Sequence, residues 1–390
     1  MLQMRELLEQ LQEWRTAGVR AALARVVDTD GSGPRDPGAA MAVSESGQVI
    51  GSVSGGCVEG AVVGEGLEVL DAGIGRVVTF GYSDDDAFAV GLTCGGTVQL
   101  YIEPFDPPAV DGAPAPTDLF GQLQQLIGEH RPAVLATVIE ATNPAVVGAK
   151  LLATPGPPGA PAAPGRRGET TGTLGSRELD RIVARDALGE LDAGTTSVRH
   201  YGPDGEAGER AVTIFIESFA PPPRLFIFGA IDFTAALCRV AKVLGFHVTV
   251  CDARATFATA ARFPLADEVI VDWPHRLLEG LTTPLTGRDA VCVLTHDNKF
   301  DVPAIMAALD SGVGYLGALG SRRTADGRHQ QLIAAGATPD QLMALHAPIG
   351  LDLGGRSPEE TAISIAAEII ALRNGRTSSS LRNTGGPIHG

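Results

Sequence analysis

The sequence predicts an α/β protein of two domains: an N-terminal α/β domain built from an internal repeat, followed by a Rossmann-like domain with a parallel sheet. Segments of the first 220 residues recur after about 110 residues, and beyond the prolines at 221–223 short apolar strands alternate with glycine turns and helices. A length of 390 residues also exceeds what one core normally supports. The expected divisions are a first domain at 1–220 (copies at about 5–106 and 117–220), a second at 224–376 and a mobile tail at 377–390.

Composition excludes several classes of protein. An apolar fraction of 44%, a charged fraction of 19% and a net charge of −16 are typical of a globular protein with an acidic surface, which argues against binding to nucleic acid or to anionic lipid. The N-terminus lacks the apolar segment of a signal peptide, and no charge-free run of 18 residues occurs, so we expect a cytoplasmic protein that does not bind membranes. An odd number of cysteines without C-x-x-C spacing predicts reduced thiols, at positions 57, 94, 238, 251 and 292.

The repeat is visible in three pairs of segments. The run A-A-L-A-R-V-V at Ala21–Val27 recurs as A-V-L-A-T-V-I at Ala133–Ile139, and T-V-Q-L-Y-I-E-P-F from residue 97 recurs as A-V-T-I-F-I-E-S-F from residue 211. Gly51–Gly73 aligns without a gap on Gly172–Gly194, and both segments end in L-D-A-G. The N-terminal domain is therefore predicted to contain the same supersecondary unit twice.

The most distinctive motif is G-S-V-S-G-G-C-V-E-G at Gly51–Gly60, where a predicted strand gives way to a helix. We expect the N–H groups of Gly55 and Gly56 and the helix N-terminus to bind an anionic ligand and to lower the pKa of Cys57. In the second copy these three residues are replaced by Ser-Arg-Glu at 176–178, so the glycine and thiol chemistry occurs once. The alternative is a tight turn with a buried structural cysteine.

Two further features of the first copy accompany this turn. Cys94, Gly95 and Gly96 precede the predicted strand Val98–Glu103, and Arg35 is the only cation of the loop G-S-G-P-R-D-P-G. The two cysteine and glycine turns are expected to converge at strand ends on one ligand, with the arginine facing its negative charge. A solvated arginine in a turn is the alternative for Arg35.

From Arg224 the pattern becomes that of a Rossmann-like unit, with a buried strand, a glycine turn, a helix and a second strand that ends in an acid. Asp252 lies 23 residues beyond Gly229, the spacing of a ribose-binding acid in a dinucleotide fold. The fingerprint G-x-G-x-x-G is nevertheless incomplete, because Ile231 and Thr234 occupy its second and third glycine positions. The sequence therefore predicts the fold and argues against standard NAD(P) binding.

Other candidate residues follow later strands of the same domain. His296 comes directly after the predicted strand Ala290–Leu294 and is either an acid-base group or a polar residue at a helix start. The segment G-A-L-G-S-R-R-T offers Ser321 as a helix N-cap with Arg322 beside it, which is either a phosphate cradle or an ordinary cap with solvent-facing arginines. A second helix start, with Ser357 as N-cap and a capping box, precedes the last helix.

In combination, these motifs resemble the XdhC/CoxI family. The motifs are S-G-G-C-V-E-G at 54–60, C-G-G-T at 94–97, G-S-G-P-R-D-P-G-A at 31–39, G-A-L-G-S-R-R at 317–323 and P-I-G-L-D-L-G-G-R-S-P-E-E-T-A at 348–362. The resemblance implies a maturation factor that binds the molybdenum cofactor (molybdopterin), protects its sulfurated form and passes it to a molybdenum hydroxylase such as xanthine dehydrogenase or carbon monoxide dehydrogenase. Such a protein is a chaperone rather than the hydroxylase itself, so no residue is assigned a catalytic role.

The resemblance places the family's cysteine motif at Cys57, as a ligand or guard of molybdenum, and a second thiol position at Cys94. The other expected cofactor-binding residues are Gly55, Gly56, Glu59, Gly95, Gly96, Arg35, Ser321 and Arg322. Expected partners are the hydroxylase apo-enzyme and, in addition, a cysteine desulfurase and a second copy of the chain.

Two competing hypotheses remain open. One is an NAD(P)-dependent oxidoreductase, with Gly229 and Asp252 at the nucleotide and His296 or Cys292 near the chemistry. The other is a scaffold that docks a hydroxylase through its acidic surface and carries no cofactor. Where family members commonly have G-A-G-x-x-G, this chain has G-A-I-D-F-T, which counts against the nucleotide hypothesis.

Overall fold

The structure is a computed structural model that describes residues 4–31, 35–81, 96–105, 118–156 and 168–385. The chain divides into two compact units, one running to Pro221 and the other spanning Pro222–Gly385. No described helix is both long enough and apolar enough to cross a membrane.

The first unit contains two copies of one α/β arrangement, which confirms the predicted repeat. The first copy consists of α1 (Met4–Thr16), β1 (Ala21–Gly31), β2 (Ala40–Ser44), β3 (Val49–Gly51), α2 (Glu59–Ala72), β4 (Arg76–Gly81) and β5 (Gly96–Pro104). The second consists of α3 (Leu119–Gly128), β6 (Ala133–Ala141), β7 (Lys150–Thr154), β8 (Glu169–Gly172), α4 (Arg177–Ala193), β9 (Ser197–Tyr201) and β10 (Val212–Phe219). Each copy forms an antiparallel sheet of five strands, in the orders β3-β2-β1-β5-β4 and β8-β7-β6-β10-β9.

The repeat extends to an irregularity in the central strand of each sheet. The pairing of β1 with β5 skips Val27, and the pairing of β6 with β10 skips Ile139, which is the equivalent residue. These two bulged residues pack together with Tyr101 and Phe215, which are also equivalent to each other. A bulge kept in both copies therefore supplies part of the contact between them.

A buried ion network joins the two sheets beside this cluster. The Arg25 guanidinium donates to the carboxylates of Glu103 and Glu217, at equivalent positions of β5 and β10, and Lys150 Nζ lies 2.6 Å from the second oxygen of Glu103. Burial would lower the pKa of Arg25, but the two carboxylates raise it, so the guanidinium is charged. The four groups carry balanced charges, which is the condition under which buried ions are tolerated.

The second unit confirms the predicted Rossmann-like domain. Its strands are β11 (Arg224–Phe228), β12 (His247–Cys251), β13 (Glu268–Ile270), β14 (Ala290–Val293), β15 (Tyr315–Ala318) and β16 (Leu345–His346). Its helices are α5 (Asp232–Val243), α6 (Pro274–Glu279), α7 (Asn298–Leu309), α8 (Arg322–Ala334), α9 (Pro339–Met343) and α10 (Pro358–Arg373).

All pairings in this sheet are parallel, in the order β13-β12-β11-β14-β15-β16. The strands are nearly continuous apolar runs because helices cover both faces. The strand order reverses between β11 and β14, so a ligand crevice is expected at the carboxyl ends of these two strands.

Candidate functional site

The turn from β3 to α2, residues 52–58, is folded around the side chain of Glu59. Its two carboxylate oxygens accept hydrogen bonds of 2.5 to 3.2 Å from Ser52 Oγ, Ser54 Oγ and the backbone N–H groups of Ser54, Gly55, Gly56 and Val58. Successive N–H groups that point into one concavity form a nest for an anion, and here the anion is the chain's own carboxylate.

This arrangement shows which groups use the N–H donors of the turn. Burial alone would raise the pKa of Glu59, but hydrogen bonds from Ser54 and Ser52 lower it to about 2, so Glu59 is an anion at neutral pH. Because Glu59 accepts from the N–H groups of Gly55 and Gly56, these groups are used within the turn, and cofactor binding by Gly55, Gly56 and Glu59 stays a prediction. They shape the turn that carries the thiol.

The second copy contains the same acid without the thiol. Asp180 is equivalent to Glu59 and accepts from Thr173 Oγ1 at 2.8 Å and from the N–H of Leu174 at 2.6 Å. Thr173 is in turn equivalent to Ser52, whose hydroxyl donates to Glu59. The acid is therefore a structural element of the repeat, while the two glycines and the cysteine occur only in the first copy.

The helix after the turn begins differently in the two copies. In the second copy Ser176 is a conventional N-cap and accepts from the N–H of Leu179. In the first copy the N-cap is Val58, which has no capping side chain, and Ser54 Oγ accepts instead from the N–H groups of both Cys57 and Val58 at 2.9 Å. The backbone of Cys57 is thereby fixed before the helix starts.

Cys57 is unpaired and half-buried. Gly55 and Gly56 have φ values of +79° and +115°, which side chains rarely adopt, and a Cβ atom on either would meet no atom within 4 Å. The space beside the cysteine is thus open, whereas the other cysteines of the described residues, Cys238, Cys251 and Cys292, are buried. A sealed structural cysteine, the alternative left by the sequence, does not describe Cys57.

Two other expected site residues lie at the same end of this sheet. Gly96 begins β5 opposite the end of β1, and the start of β2 pairs with Gly51 at the end of β3, directly before the turn. Arg35 lies in the connection from β1 to β2 at this end and is half-buried. The topology brings Arg35 and Gly96 to the end of the sheet that carries Cys57. Cys94 and Gly95 lie outside the described residues.

Within the described ranges no three His, Cys, Asp or Glu side chains gather closely enough to hold a metal ion. A soft thiolate such as that of Cys57 is a suitable single ligand for a metal whose remaining ligands arrive with it.

The second unit has a cavity of about 320 Å³ at the carboxyl ends of β11, β12 and β14, the crevice position of the fold. Its apolar wall includes Ile231 and Phe300, and its polar wall includes Arg254, His296 and Lys299. Such a mixture suits a small organic ligand with polar groups.

Asp252 borders this cavity, but its carboxylate is fully used inside the protein. One oxygen accepts from the Arg254 N–H and Nε, and the other accepts from Arg254 Nη2 and the Ala230 N–H. These bonds occupy all four lone-pair positions of a carboxylate that is 3% exposed. Ribose binding by Asp252 stays a prediction, and the hydrogen bonds from Arg254 and Ala230 to its oxygens count against it.

The glycine turn is also explained by internal packing. Gly229 donates its N–H to the Cys251 carbonyl, and a Cβ on Gly229 would lie 2.8 Å from Thr295 Cγ2, so this residue is glycine because the chain leaving β14 passes close to it. Thr234 is completely buried and its hydroxyl donates to the Gly229 carbonyl. Gly229 thus uses its N–H within the sheet, which counts against the nucleotide contact predicted for it.

The other residues of the oxidoreductase hypothesis separate in the structure. Cys292 is fully buried in the apolar core, and burial raises the pKa of its thiol, which counts against its predicted place near the chemistry. His296 is exposed on the cavity wall. The cap of the next helix is Asp297, which accepts from the Lys299 N–H at 3.2 Å.

At the end of β15 the predicted helix start is present. Ser321 is the N-cap of α8 and accepts from the Thr324 N–H at 3.1 Å, and Arg322 and Arg323 are exposed. The predicted capping box of α10, with Ser357 as N-cap, is present as well.

A buried ion pair beneath this helix start was missed by the sequence interpretation. Arg328 Nη2 donates to Asp301 Oδ2 at 2.8 Å and to the Leu319 carbonyl at 3.0 Å, and both charged side chains are completely buried. Asp301 also accepts from the hydroxyl of Thr295, which lines the cavity. No spacing rule separates Arg328 from the exposed arginines at 322 and 323, so only the structure reveals its burial.

Comparison with known proteins matches both units to family models. The model described as the XdhC and CoxI family matches residues 14–81 and 126–202, and the model described as the XdhC Rossmann domain matches 225–369. Together the two models cover most of the chain.

Two curated relatives align over nearly the whole chain. A protein of Bacillus subtilis named as a probable xanthine dehydrogenase subunit is 27% identical over 361 residues, covering 90% of this chain and 93% of its own. The molybdenum cofactor insertion chaperone PaoD of Escherichia coli is 25% identical, covering 92% and 85%. A crystal structure from Bacillus halodurans titled as a xanthine dehydrogenase superposes with a TM-score of 0.65 at 25% identity, covering 96% of this chain and 98% of that one.

Proposed function

Because the chain belongs to the XdhC/CoxI family, we propose that it binds the molybdenum cofactor at the Cys57 turn and delivers it to the apo form of a molybdenum hydroxylase. The name of the Escherichia coli relative, a molybdenum cofactor insertion chaperone, supports this function. In this function the cofactor is cargo that the protein accepts and releases, and the hydroxylase uses it for catalysis.

The observation that carries the proposal is the presentation of one thiol in one of two otherwise similar copies. The turn around Glu59 holds Cys57 half-exposed beside two glycines with open space above them. Its equivalent in the second copy, Glu178, lies in the first turn of a normally capped helix. A duplicated scaffold with a single specialised turn is what binding of one cargo molecule requires.

The chemistry of the cargo suits this site. Molybdenum in the cofactor is held by dithiolene sulfur and carries oxo or sulfido groups, so the cofactor supplies most of its own ligands. A soft protein thiolate then adds one ligand or shields the sulfido group from water. The Cys57 Sγ fits this role because the described residues offer no competing cluster of ligands around it.

We propose Arg35 and Gly96 as supporting residues at the end of the sheet that carries Cys57. We propose Cys94 and Gly95 as further supporting residues from the sequence alone. Arg35 is the cation available for the negative charge of the pterin phosphate, since the N–H nest of the turn is already filled by Glu59. In this proposal the Cys57 thiol contacts the molybdenum, and the Arg35 guanidinium contacts the phosphate of the pterin. We also propose that the protein acts in the cytoplasm, where a cysteine desulfurase and a second copy of the chain are its further partners.

Replacement of Cys57 by serine tests the proposal. Purified protein is incubated anaerobically with molybdenum cofactor and desalted, and molybdenum by mass spectrometry and pterin by fluorescence are then measured per mole of chain. We expect the wild type to retain both and Cys57→Ser to lose both. Glu178→Ser, at the equivalent position of the second copy, is the matched control and should retain the cargo.

A folding check separates loss of the thiol from loss of the domain. The serine variant should unfold at the temperature of the wild type, because serine keeps the backbone contacts of residue 57. Equal retention of molybdenum and pterin by the wild type and by Cys57→Ser would refute the proposed role of the turn.

A further inference from the structure

Helices α5, α7 and α8 follow strands β11, β14 and β15 at the carboxyl edge of the sheet in the second unit, and the first turns of these three helices differ in charge. Helix α5 begins with Asp232, and α7 is capped by Asp297. Helix α8 has Ser321 as its cap, Arg322 and Arg323 as its first residues, and no acid in its first turn. The backbone N–H groups at a helix start carry partial positive charge, so α8 is the start best suited to an anion.

A second observation points to the same place. Arg328 is 1% exposed, and its Nε and Nη1 have no hydrogen-bond partner among the described residues. Nη1 lies 3.7 Å from the position that a Cβ would take on Gly320, directly before the helix cap. A buried guanidinium with unused N–H groups is costly, and it is normally retained where a partner completes its hydrogen bonding.

The part of the sheet edge beside this helix start is connected to the cavity. Asp301 accepts from Arg328 on one side and from Thr295 on the other, and Thr295 forms part of the cavity wall. One buried acid therefore holds both the guanidinium below Gly320 and a hydroxyl of the cavity.

We propose that Gly320, Ser321 and Arg322 at the start of α8, with Arg328 behind them, bind a phosphate group. Phosphate matches this set because it accepts several charge-assisted hydrogen bonds at once from N–H groups and guanidinium. The sequence supplies the exposed half of the site, and the structure adds Arg328, which sequence reasoning did not identify. The site belongs to the second unit and does not depend on the role proposed for Cys57.

Isothermal titration of the full chain with inorganic phosphate tests this proposal. Ser321→Ala should weaken phosphate binding about tenfold, since it removes the cap that orders the first turn. Ser357→Ala is the matched control, because it removes an equivalent cap from α10 in the same unit and should leave phosphate binding unchanged.

The contribution of Arg328 needs a variant that remains folded. Removing Arg328 alone would strand the buried carboxylate of Asp301, whereas Arg328→Met combined with Asp301→Leu removes both charges. We expect this double variant to keep its cooperative thermal transition and to lose phosphate binding by about tenfold or more. A folded double variant with wild-type phosphate affinity, or a wild type that binds no phosphate, would overturn the proposal.

Titration with AMP distinguishes the source of the phosphate. Tighter binding of AMP than of inorganic phosphate, again lost in the double variant, identifies a phosphate ester whose organic part occupies the cavity. Equal affinities identify recognition of the phosphate group alone. In both cases the loss of phosphate binding in the double variant is the evidence that Arg328 takes part in the site.

Discussion

Replacing Glu59 with glutamine should loosen the Cys57 turn without removing the thiol. The two oxygens of the Glu59 carboxylate accept hydrogen bonds from the surrounding hydroxyl and N–H groups. Glutamine keeps only one acceptor oxygen and places an NH2 group, which is a donor, where the other oxygen was. A fall in the pKa of Glu59 from 4.5 to about 2 corresponds to roughly 3 kcal/mol without solvent screening. Because the side chain is half-exposed, we expect a loss of about 1–2 kcal/mol.

The pH dependence of this loss gives the sharper test. The pKa of Glu59 is lower in the folded than in the unfolded state, so its stabilisation is complete above the unfolded value of about 4.5 and disappears as the pH falls towards about 2. The difference in unfolding free energy between the wild type and Glu59→Gln, measured with urea, should therefore be largest near neutral pH and shrink as the pH falls below the unfolded pKa. A difference that is zero at neutral pH, or constant over this range, would refute the reasoning.

The functional consequence is measured on the same variant. We expect Glu59→Gln to change the rate at which iodoacetamide labels Cys57, which is measured by mass spectrometry of the peptide that contains this cysteine. We also expect Glu59→Gln to retain less cofactor than the wild type. Asp180→Asn removes the equivalent acid of the second copy and is the matched control. That control should lose stability while labelling of Cys57 and retention of cofactor remain at wild-type values.

Three further predictions concern the turn, the core and the second unit. Gly56→Ala places a side chain at φ +115°, which costs about 1–3 kcal/mol of backbone strain. Its Cβ meets no neighbouring atom, so the variant should fold but retain less cofactor than the wild type. Arg25→Met leaves the buried carboxylate of Glu217 without its ion-pair partner, while Glu103 keeps Lys150, and it should lower the unfolding free energy by about 3–5 kcal/mol. Arg25→Met combined with Glu217→Leu leaves only the balanced Glu103–Lys150 pair and should cost much less, and equal losses in calorimetry would contradict this. Titration with NADH, followed by its fluorescence, should show no saturable micromolar binding, and micromolar binding lost in Asp252→Asn would reinstate the oxidoreductase hypothesis.

The fold was largely predictable because its signals are local and repeated. The recurrence of Ala21–Val27 and Gly51–Gly73 is visible in the sequence alone, and it predicted one unit that occurs twice. The structure adds that each copy forms a sheet with the same strand order. The change to apolar strands after residue 224 likewise anticipated the parallel sheet. The bulges at Val27 and Ile139 were not predictable, since a skipped residue in a ladder leaves no mark on an apolar run.

The candidate site was less predictable because a carboxylate of the chain itself can occupy the N–H groups that would otherwise bind an anionic ligand. A glycine-rich turn before a helix has the same sequence whether its N–H groups face a bound anion or an acid of the chain. The equivalence of Glu59 with Asp180, available from the gapless alignment of the copies, was the signal that favours the internal acid. An internal group likewise takes the place of a ligand at Asp252. The side chain of Arg254, two residues later, donates to the carboxylate oxygens that a ribose would use.

Comparison of the two copies gives the strongest physical argument for a role of the Cys57 turn beyond folding. The second copy shows that this scaffold can start its helix with an ordinary cap, Ser176. The first copy lacks that cap and has two glycines with positive φ. Glycine loses more conformational entropy on folding than any other type of residue. Glu59 and Ser54 then restore the hydrogen bonding that these changes disturb. A turn that served only the fold would have no reason to depart from the simpler solution, so the departure is explained by what it presents, the half-exposed thiol of Cys57.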